Sequence, residues 1–312
     1  MHPMNGLLLV DKPTGITSHD VVHQVRRIFG IRAVGHAGTL DPLASGLMVL
    51  LIGEATKVSD YLLNGNKAYR VTVKLGVRTD SLDMTGRVLE QQVADVSREA
   101  VLALLAELTG AIELDVPVHS AVKVGGKKLY EYAHKNERPE ETPRRVMNFY
   151  KVEPVEIKSD EVTAEIHCSK GSFIRAWAAE LGERLGTGGA VSALRRIRSE
   201  PFALEQAITL DQLQAQWEAR PERHGRVLGG AWISLRDSLP SFERLYVSGH
   251  DEFLLRNGQI SKLVQAQLLG FIKIGVPPPP VRVIMRESDD LLALLVAKPE
   301  EFYRIRRVFN NV

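Results

Sequence analysis

The chain has 312 residues, 44% hydrophobic and 25% charged, an ordinary globular balance with room for about two folding units and a core that needs no cross-links. Its single cysteine, Cys168, excludes an internal disulfide and a cysteine-based metal site, and it suits a reducing compartment. The formal net charge of +2 does not announce a nucleic-acid binder, so the distribution of charge matters more than its total.

The first element is a short apolar run, Leu7 to Val10, read as a strand and far too short for a secretory signal or a membrane span. No later run is long enough either, so a cytoplasmic protein without a membrane segment is expected. Turn chemistry follows at Asp11-Lys12-Pro13-Thr14-Gly15. Thr17 or Ser18 can cap a helix that runs to about Phe29 with Val21, Val22, Val25 and Ile28 on one stripe, and Gly30 stops it. Residues 33–46 are glycine-rich and read as irregular. LMVLLIG then reads as a buried strand, Glu54 to Leu63 as a short helix, and Ala68 to Leu75 as a half-exposed strand.

Residues 97–109 form an amphipathic helix ended by Gly110, and 127–135 are read as helical. Segments 148–156 and 161–169 alternate like antiparallel strands. Lys170-Gly171-Ser172 leads into a helix from Phe173 to Leu185, Gly186 to Gly189 break it, and Leu194 to Ile197 open another strand. Beyond Trp232 the pattern changes to short β-like pieces at Leu245–Val247, Val281–Met285 and Leu291–Val296, with a Pro277–Pro280 run. This order of elements predicts an α+β fold: a mixed, largely antiparallel sheet with flanking helices, and a small C-terminal β-rich unit. A linker near Asp237–Ser241 would divide the chain into 1–237 and 238–312.

Basic clusters stand at Arg26-Arg27, Lys127-Lys128, Arg144-Arg145, Arg195-Arg196 with Arg198, and Arg304 with Arg306-Arg307. Gathered on one face they would neutralise phosphates; taken singly, each is more often a solvated surface.

The chemistry concentrates in Gly35-His36-Ala37-Gly38-Thr39-Leu40-Asp41-Pro42-Leu43-Ala44-Ser45-Gly46. Three glycines in twelve residues let a backbone approach a ligand closely. Leu40, Pro42 and Leu43 flank the Asp41 carboxylate and would partly desolvate it. By itself Asp-Pro is a routine turn.

The wider context decides between these readings. GHAGTLDPLASGLMVL closely resembles the signature loop of the TruB family, which converts the uridine at tRNA position 55 to pseudouridine. GLLLVDKPTGITSHDVV, GEATKVSDYLL, KAYRVTVKLGVRTDSLDMTG, PVHSAVKVGGKKLYEYA, CSKGSFIRAWAAELGERLG and ALRRIRS resemble further family segments in the family's order. They cover residues 5–200 densely.

The resemblance implies a pseudouridine-synthase fold with a C-terminal PUA-like RNA-binding domain, to which RNGQ at Arg256–Gln259 corresponds loosely. It implies Asp41 as the catalytic aspartate, Tyr69 as the active-site tyrosine stacking on the base, and Arg175 as the arginine pairing with and orienting Asp41. Leu194 becomes a wall of the uracil pocket and His36 a histidine near the flipped nucleotide. Lys12 becomes a lysine packed near the loop in a supporting role. Phe173 stands where many relatives carry tyrosine; its ring can line the pocket but donates no hydrogen bond.

Isomerisation adds and removes no atoms, so no cofactor or metal is expected. The implied partner is the T-arm stem-loop of tRNA, with no obligatory protein partner. The target base must leave its stack to reach Asp41. The segment from Lys123 to Arg145, with five Lys or Arg up to Arg138, is the candidate grip on that loop. Competing readings are a tRNA-binding or folding protein without catalysis, a subunit of a guide-RNA complex, and a glycoside hydrolase; the last usually needs two carboxylates where one stands out.

Overall fold

The computed structural model describes residues 4–120, 122–134, 142–219, 225–298 and 301–310. Strand β1 (Gly6–Lys12), helix α1 (Ser18–Phe29) and strands β2 (Val34–His36), β3 (Ser45–Ile52) and β4 (Lys67–Leu75) come first. Then follow β5 (Lys151–Ile157), β6 (Glu161–Cys168), α2 (Ile174–Arg184), β7 (Gly189–Ser199) and the two-residue β8 (Ile208–Thr209). They form one sheet in the order β5-β6-β4-β7-β3-β1-β8, to which β2 adds beside β3. Along this order neighbours pair antiparallel except β7 with β3 and β1 with β8. The chain adopts the expected α+β class with its largely antiparallel sheet.

Strands β1 and β3 are interior strands with neighbours on both sides and are buried on both faces, which explains why their sequences are continuous apolar runs without alternation. Leu8, Val10, Met48 and Leu50 join one core with Val21 and Val25 of α1 and Trp177 of α2. Leu7, Leu9, Leu47 and Val49 join a second core on the opposite face, where Leu291, Leu294 and Phe309 meet them. Those three come from the C-terminal region, whose strands β9 (Glu243–Val247), β10 (Val281–Met285), β11 (Leu291–Lys298) and β12 (Glu301–Val308) form a separate four-stranded sheet. The C-terminal sheet therefore covers a face of the main sheet that would otherwise be an exposed apolar surface. Near the expected linker, Leu235 and Leu239 belong to that second core and Ser238 is fully buried, its hydroxyl donating to the Leu235 carbonyl at 2.7 Å.

Several elements differ from the sequence pattern for local reasons. Within the stretch expected to be irregular, Val34–His36 is a strand paired with β3; three residues are too few to show a period. The single strand expected over 148–156 is divided at Tyr150: Arg144–Phe149 pairs with Gly110–Asp115, while β5 pairs with β6. Residues Lys123–Val124 and Lys127–Lys128 form a small hairpin ahead of a helix, Leu129–His134. The rest of the segment expected to grip RNA includes 135–141, which lies outside the described residues. Glu54–Leu63 divides into a 3-10 turn (Gly53–Val58) and a short α-helix (Ser59–Leu63).

Strand β7 starts at Gly189, where breakers were expected. Gly182 of α2 packs so tightly on this backbone that a Cβ there would come within 2.2 Å of Gly188. The C-terminal unit also contains two helices, His250–Arg256 and Lys262–Leu269, that the β-like pattern missed. Ser261 caps the second by accepting from the Val264 N–H at 3.1 Å. Among the described residues, no helix is long and apolar enough to cross a membrane.

Gly46 opens β3 at φ 102°, and a Cβ there would lie 2.3 Å from the Arg196 carbonyl oxygen. Gly46→Ala is expected to lower unfolding free energy by more than about 2 kcal/mol; an unchanged urea midpoint would contradict the close approach.

Lys67 is buried, and its ammonium donates to the carbonyls of Leu63 and Gly65 at 2.7 and 2.5 Å. Burial, helped by the nearby Arg196 charge, pushes its pKa from 10.5 down to about 8. Between those values the unfolded chain binds more protons than the folded one, so this group's stability contribution rises with pH across that window; its cost is fully present below pH 8. The stability of wild type relative to Lys67→Met should therefore grow from pH 8 to pH 10, by at most about 1.4 kcal/mol per pH unit. Urea titrations across that range giving a flat difference would refute it.

Candidate active site

The loop that carries Asp41 is held at five backbone points. Thr17 caps α1, accepting from the Asp20 N–H at 3.1 Å, and Gly30 ends the helix in the left-handed conformation. With Thr17 as cap, the Ser18 side chain is free to bond the loop instead. Its hydroxyl donates to the Leu40 carbonyl at 2.9 Å and accepts from the Leu40 N–H at 2.8 Å. The Gly15 N–H donates to the Pro42 carbonyl at 2.8 Å, so the residues on both sides of Asp41 are tied to the first turn of the chain. From the other side comes Arg196 of β7, 1% exposed. Its guanidinium donates to the carbonyls of Leu47 at 2.7 Å, Gly38 at 3.2 Å and Thr39 at 3.3 Å.

Asp41 is the part of the loop left open. Its side chain is 39% exposed and faces the Arg175 Nε at 3.0 Å. Arg175 sits in the first turn of α2 with its side chain 8% exposed. Its two terminal nitrogens donate to the carbonyls of Ser81 and His119, each at 2.8 Å. A second carboxylate, Asp83, stands 4.0 Å from the same guanidinium. Asp83 is itself buried and accepts from the Ser81 hydroxyl at 2.8 Å, the Thr85 hydroxyl at 2.6 Å and the Thr85 N–H at 3.0 Å. Arg175 is thus aimed at Asp41 by fixed partners on every side, which leaves its guanidinium little freedom to turn.

These groups border a cavity of about 650 Å³ that includes Asp41, Tyr69, Phe173, Arg175 and Leu194, five of the seven residues singled out from the sequence. The volume suits a nucleotide-sized ligand. Tyr69 stands on β4 directly across from Arg196 of β7, and Leu194 lies two residues before Arg196 on the same face. Burial raises the pKa of the Tyr69 hydroxyl above the usual phenol value, against the opposing pull of the Arg196 charge, so it is protonated at neutral pH. Phe173 precedes α2 with its backbone N–H directed at the Met147 sulfur at 3.3 Å. The arrangement provides a carboxylate with a fixed counter-ion, a phenol, and apolar walls, which together suit an attack on, or proton transfer within, a bound aromatic base.

Two expected residues are placed elsewhere. Lys12, expected to pack near the loop in a supporting role, is fully buried beneath it, with its ammonium donating to the carbonyls of Ile16 at 2.7 Å and Pro13 at 2.9 Å. Burial pushes its pKa down to about 8, against the opposing pull of Asp41. It braces the turn under the loop. His36 is half-buried at the end of β2 and does not line the cavity; burial and the Arg196 charge lower its pKa, so its ring is neutral at pH 7.

The sequence reading missed Ser18, Asp83 and Arg196. Ser18 looked like one of two cap candidates, Asp83 lay in a Ser/Thr/Asp-rich turn, and Arg196 was counted in a basic cluster with surface character. His119, Ser120 and Tyr130 also line the cavity; Tyr130 belongs to the segment expected to grip RNA.

Comparison with known proteins shows the family. Residues 26–174 match the TruB family pseudouridylate synthase N-terminal domain, and residues 175–245 match the tRNA pseudouridylate synthase B C-terminal domain. The chain is 47% identical over 306 residues to the tRNA pseudouridine synthase B of Bdellovibrio bacteriovorus, covering 98% of this chain and 97% of that protein. It is 38% identical over 257 residues to the protein of the same name from Clostridium perfringens, covering 82% and 84%. Its fold superposes with a TM-score of 0.70 on a chain in the crystal structure of a Cbf5-Nop10-Gar1 complex, at 23% identity, covering 99% of this chain and 86% of that one. By its sequence along nearly its full length, the chain belongs to the TruB family of pseudouridylate synthases.

Proposed function

We propose that this synthase isomerises uridine 55 in the T-arm loop of tRNA, with Asp41 as its essential carboxylate. The observation that carries the reading is the Asp41 carboxylate at the edge of a nucleotide-sized cavity, 3.0 Å from the buried Arg175 Nε. The relatives named tRNA pseudouridine synthase B support tRNA as the substrate.

On this reading the uridine leaves its stack and enters the cavity, at a cost of a few kcal/mol offset by aromatic and phosphate contacts. The uracil ring lies between Tyr69 and Leu194, with Phe173 closing one side. Asp41 acts on the nucleotide near its glycosidic bond, either as nucleophile or as base, while N1–C1′ breaks and C5–C1′ forms. Arg175 holds the carboxylate in its working direction. Tyr69, protonated at neutral pH, stacks on the base and handles a proton near C5. Lys12 and His36 act through the loop, Lys12 from beneath it. Residues 1–237 form the catalytic unit and 238–312 a PUA-like unit that contacts RNA away from the cavity.

A tRNA transcript with tritium at C5 of its uridines tests this directly. Purified protein should release tritium without added metal, guide RNA or partner protein. Asp41→Asn should abolish release while RNA affinity stays within about tenfold, because the carboxylate acts in the chemical step. Joint loss of binding and release would instead mark Asp41 as structural, and binding without release by wild type would favour a non-catalytic RNA binder. Tyr69→Phe keeps the ring and removes the hydroxyl; kcat should fall about a hundredfold or more with KM little changed. An unaffected kcat would remove the hydroxyl from the chemistry.

A further inference from the structure

Buried polar atoms are normally hydrogen-bonded, so one left without a partner calls for a reason. Among the described residues such atoms occur on Arg26, His36, Arg78, Ser120, Ser172 and Trp217. Arg26 and Arg78 bond through other nitrogens of their guanidinia, to the Val34 carbonyl and to Glu183. His36 and Trp217 do not border the cavity that holds Asp41, whereas both serines do. Ser172 is half-buried just before α2 and stands beside the Cys168 thiol. Ser120 is 7% exposed, and its hydroxyl is bonded to nothing in the fold.

The backbone around Ser120 is pinned on both sides. The His119 carbonyl accepts from Arg175 at 2.8 Å, and the Ser120 carbonyl accepts from the Tyr130 N–H at 3.0 Å. The side chain keeps one freedom, rotation about Cα–Cβ among staggered positions. A hydroxyl that is shielded from water and unpaired lowers stability, so the fold gains nothing from it. Its one donor and two acceptor lone pairs are left for whatever fills the cavity.

Its position narrows the choice of partner. The Asp41 carboxylate and the His119 carbonyl meet two nitrogens of the same guanidinium, Asp41 on Nε at 3.0 Å. That group is small and planar, so Ser120, the next residue, stands at the Asp41 end of the cavity. With Asp41 acting near the glycosidic bond, the ribose of the bound nucleotide lies at the same end, and its C2′ is bonded to C1′. The ribose group there that both donates and accepts is the 2′-hydroxyl, which distinguishes RNA from DNA.

We propose that the Ser120 hydroxyl bonds the 2′-hydroxyl of the nucleotide in the cavity and so selects ribose over deoxyribose at the target position. The inference rests on the reading of Asp41 as the group that acts near the glycosidic bond. Either hydroxyl can donate to the other, so the contact is satisfied in both senses. It positions the sugar against Asp41 and takes no part in making or breaking bonds.

A double-mutant cycle between protein and substrate tests this. Two T-arm stem-loops are compared, identical except for uridine or 2′-deoxyuridine at the target position. Affinity is measured by fluorescence anisotropy with Asp41→Asn protein, so that no turnover intervenes. Adding Ser120→Ala should weaken binding of the ribose stem-loop about fivefold or more and leave the deoxyribose stem-loop within about twofold. With Asp41 intact, Ser120→Ala should have a Tm equal to or above that of wild type, because the fold loses no bond; a serine that served the fold would lower it. Equal losses on the two RNAs would put the contact on the base or a phosphate and overturn the proposal, as would no loss on either or a lowered Tm. A ribose preference that depends on Ser120, in a protein whose wild type releases no tritium from labelled tRNA, would leave the contact standing and remove the catalytic reading.

Discussion

The site depends on one buried cation. Arg196 is 1% exposed and forms no ion pair among the described residues; its guanidinium is satisfied by three carbonyls. A buried charge without such partners costs several kcal/mol. The Gly38-Thr39 backbone and the start of β3 are therefore bound to one geometry, because moving either strands a donor in a place water does not reach. Gly46 is part of the same constraint, since only a residue without a side chain lets β3 pass so close to the Arg196 backbone. The charge also reaches outward, lowering the pKa values of His36, Lys12 and Lys67 alongside their burial.

Strand periodicity turns that anchor into a site. Leu194 and Arg196 share a face of β7 because they are two residues apart, and the register of β7 on β4 sets Tyr69 opposite Arg196. A slip by one residue would turn Arg195 and Arg70 to this face and bury the wrong pair. Opposite this strand pair, α2 brings Arg175 and Phe173 from the first turn of a helix whose Trp177 is fully buried. Asp41 meets Arg175 where these independently held elements converge, which is how a loop residue acquires the precision of a sheet.

Much of this was legible in the sequence and some was not. Strands β1 and β3 declared themselves as apolar runs, and α1 as a capped, stripe-bearing helix. The glycine-rich loop around Asp41 stood out by composition, and the ordered TruB-like segments pointed to the five of the seven chosen residues that share the cavity. What stayed hidden was long-range. Nothing near Ser18 shows that its hydroxyl reaches Leu40, 22 positions away, and nothing near Arg196 tells a buried guanidinium from its neighbours in the string Arg195-Arg196-Ile197-Arg198. Lys12, expected in a supporting role beside the loop, is buried and donates downward to Pro13 and Ile16; which carbonyls it would meet was not legible in the sequence. The C-terminal helices were missed because their apolar residues serve a small separate core and leave Phe253, Leu263 and Leu269 exposed, which blurs the helical stripe.

The division of charge explains how a nearly neutral chain can serve a polyanion. Its arginines divide into those that hold the fold and those left to solvent, and the sequence does not label them. Arg175 and Arg196 are committed to carbonyls and to Asp41, so their field acts at the cavity and not along an RNA backbone. Arg144 and Arg195 are balanced by carboxylates. Arg27, Arg145, Arg198, Arg304 and Arg306 are exposed and pair with no carboxylate among the described residues. Committing Arg175 and Arg196 to fixed partners near Asp41 lets the aspartate work without mobile positive groups at its side.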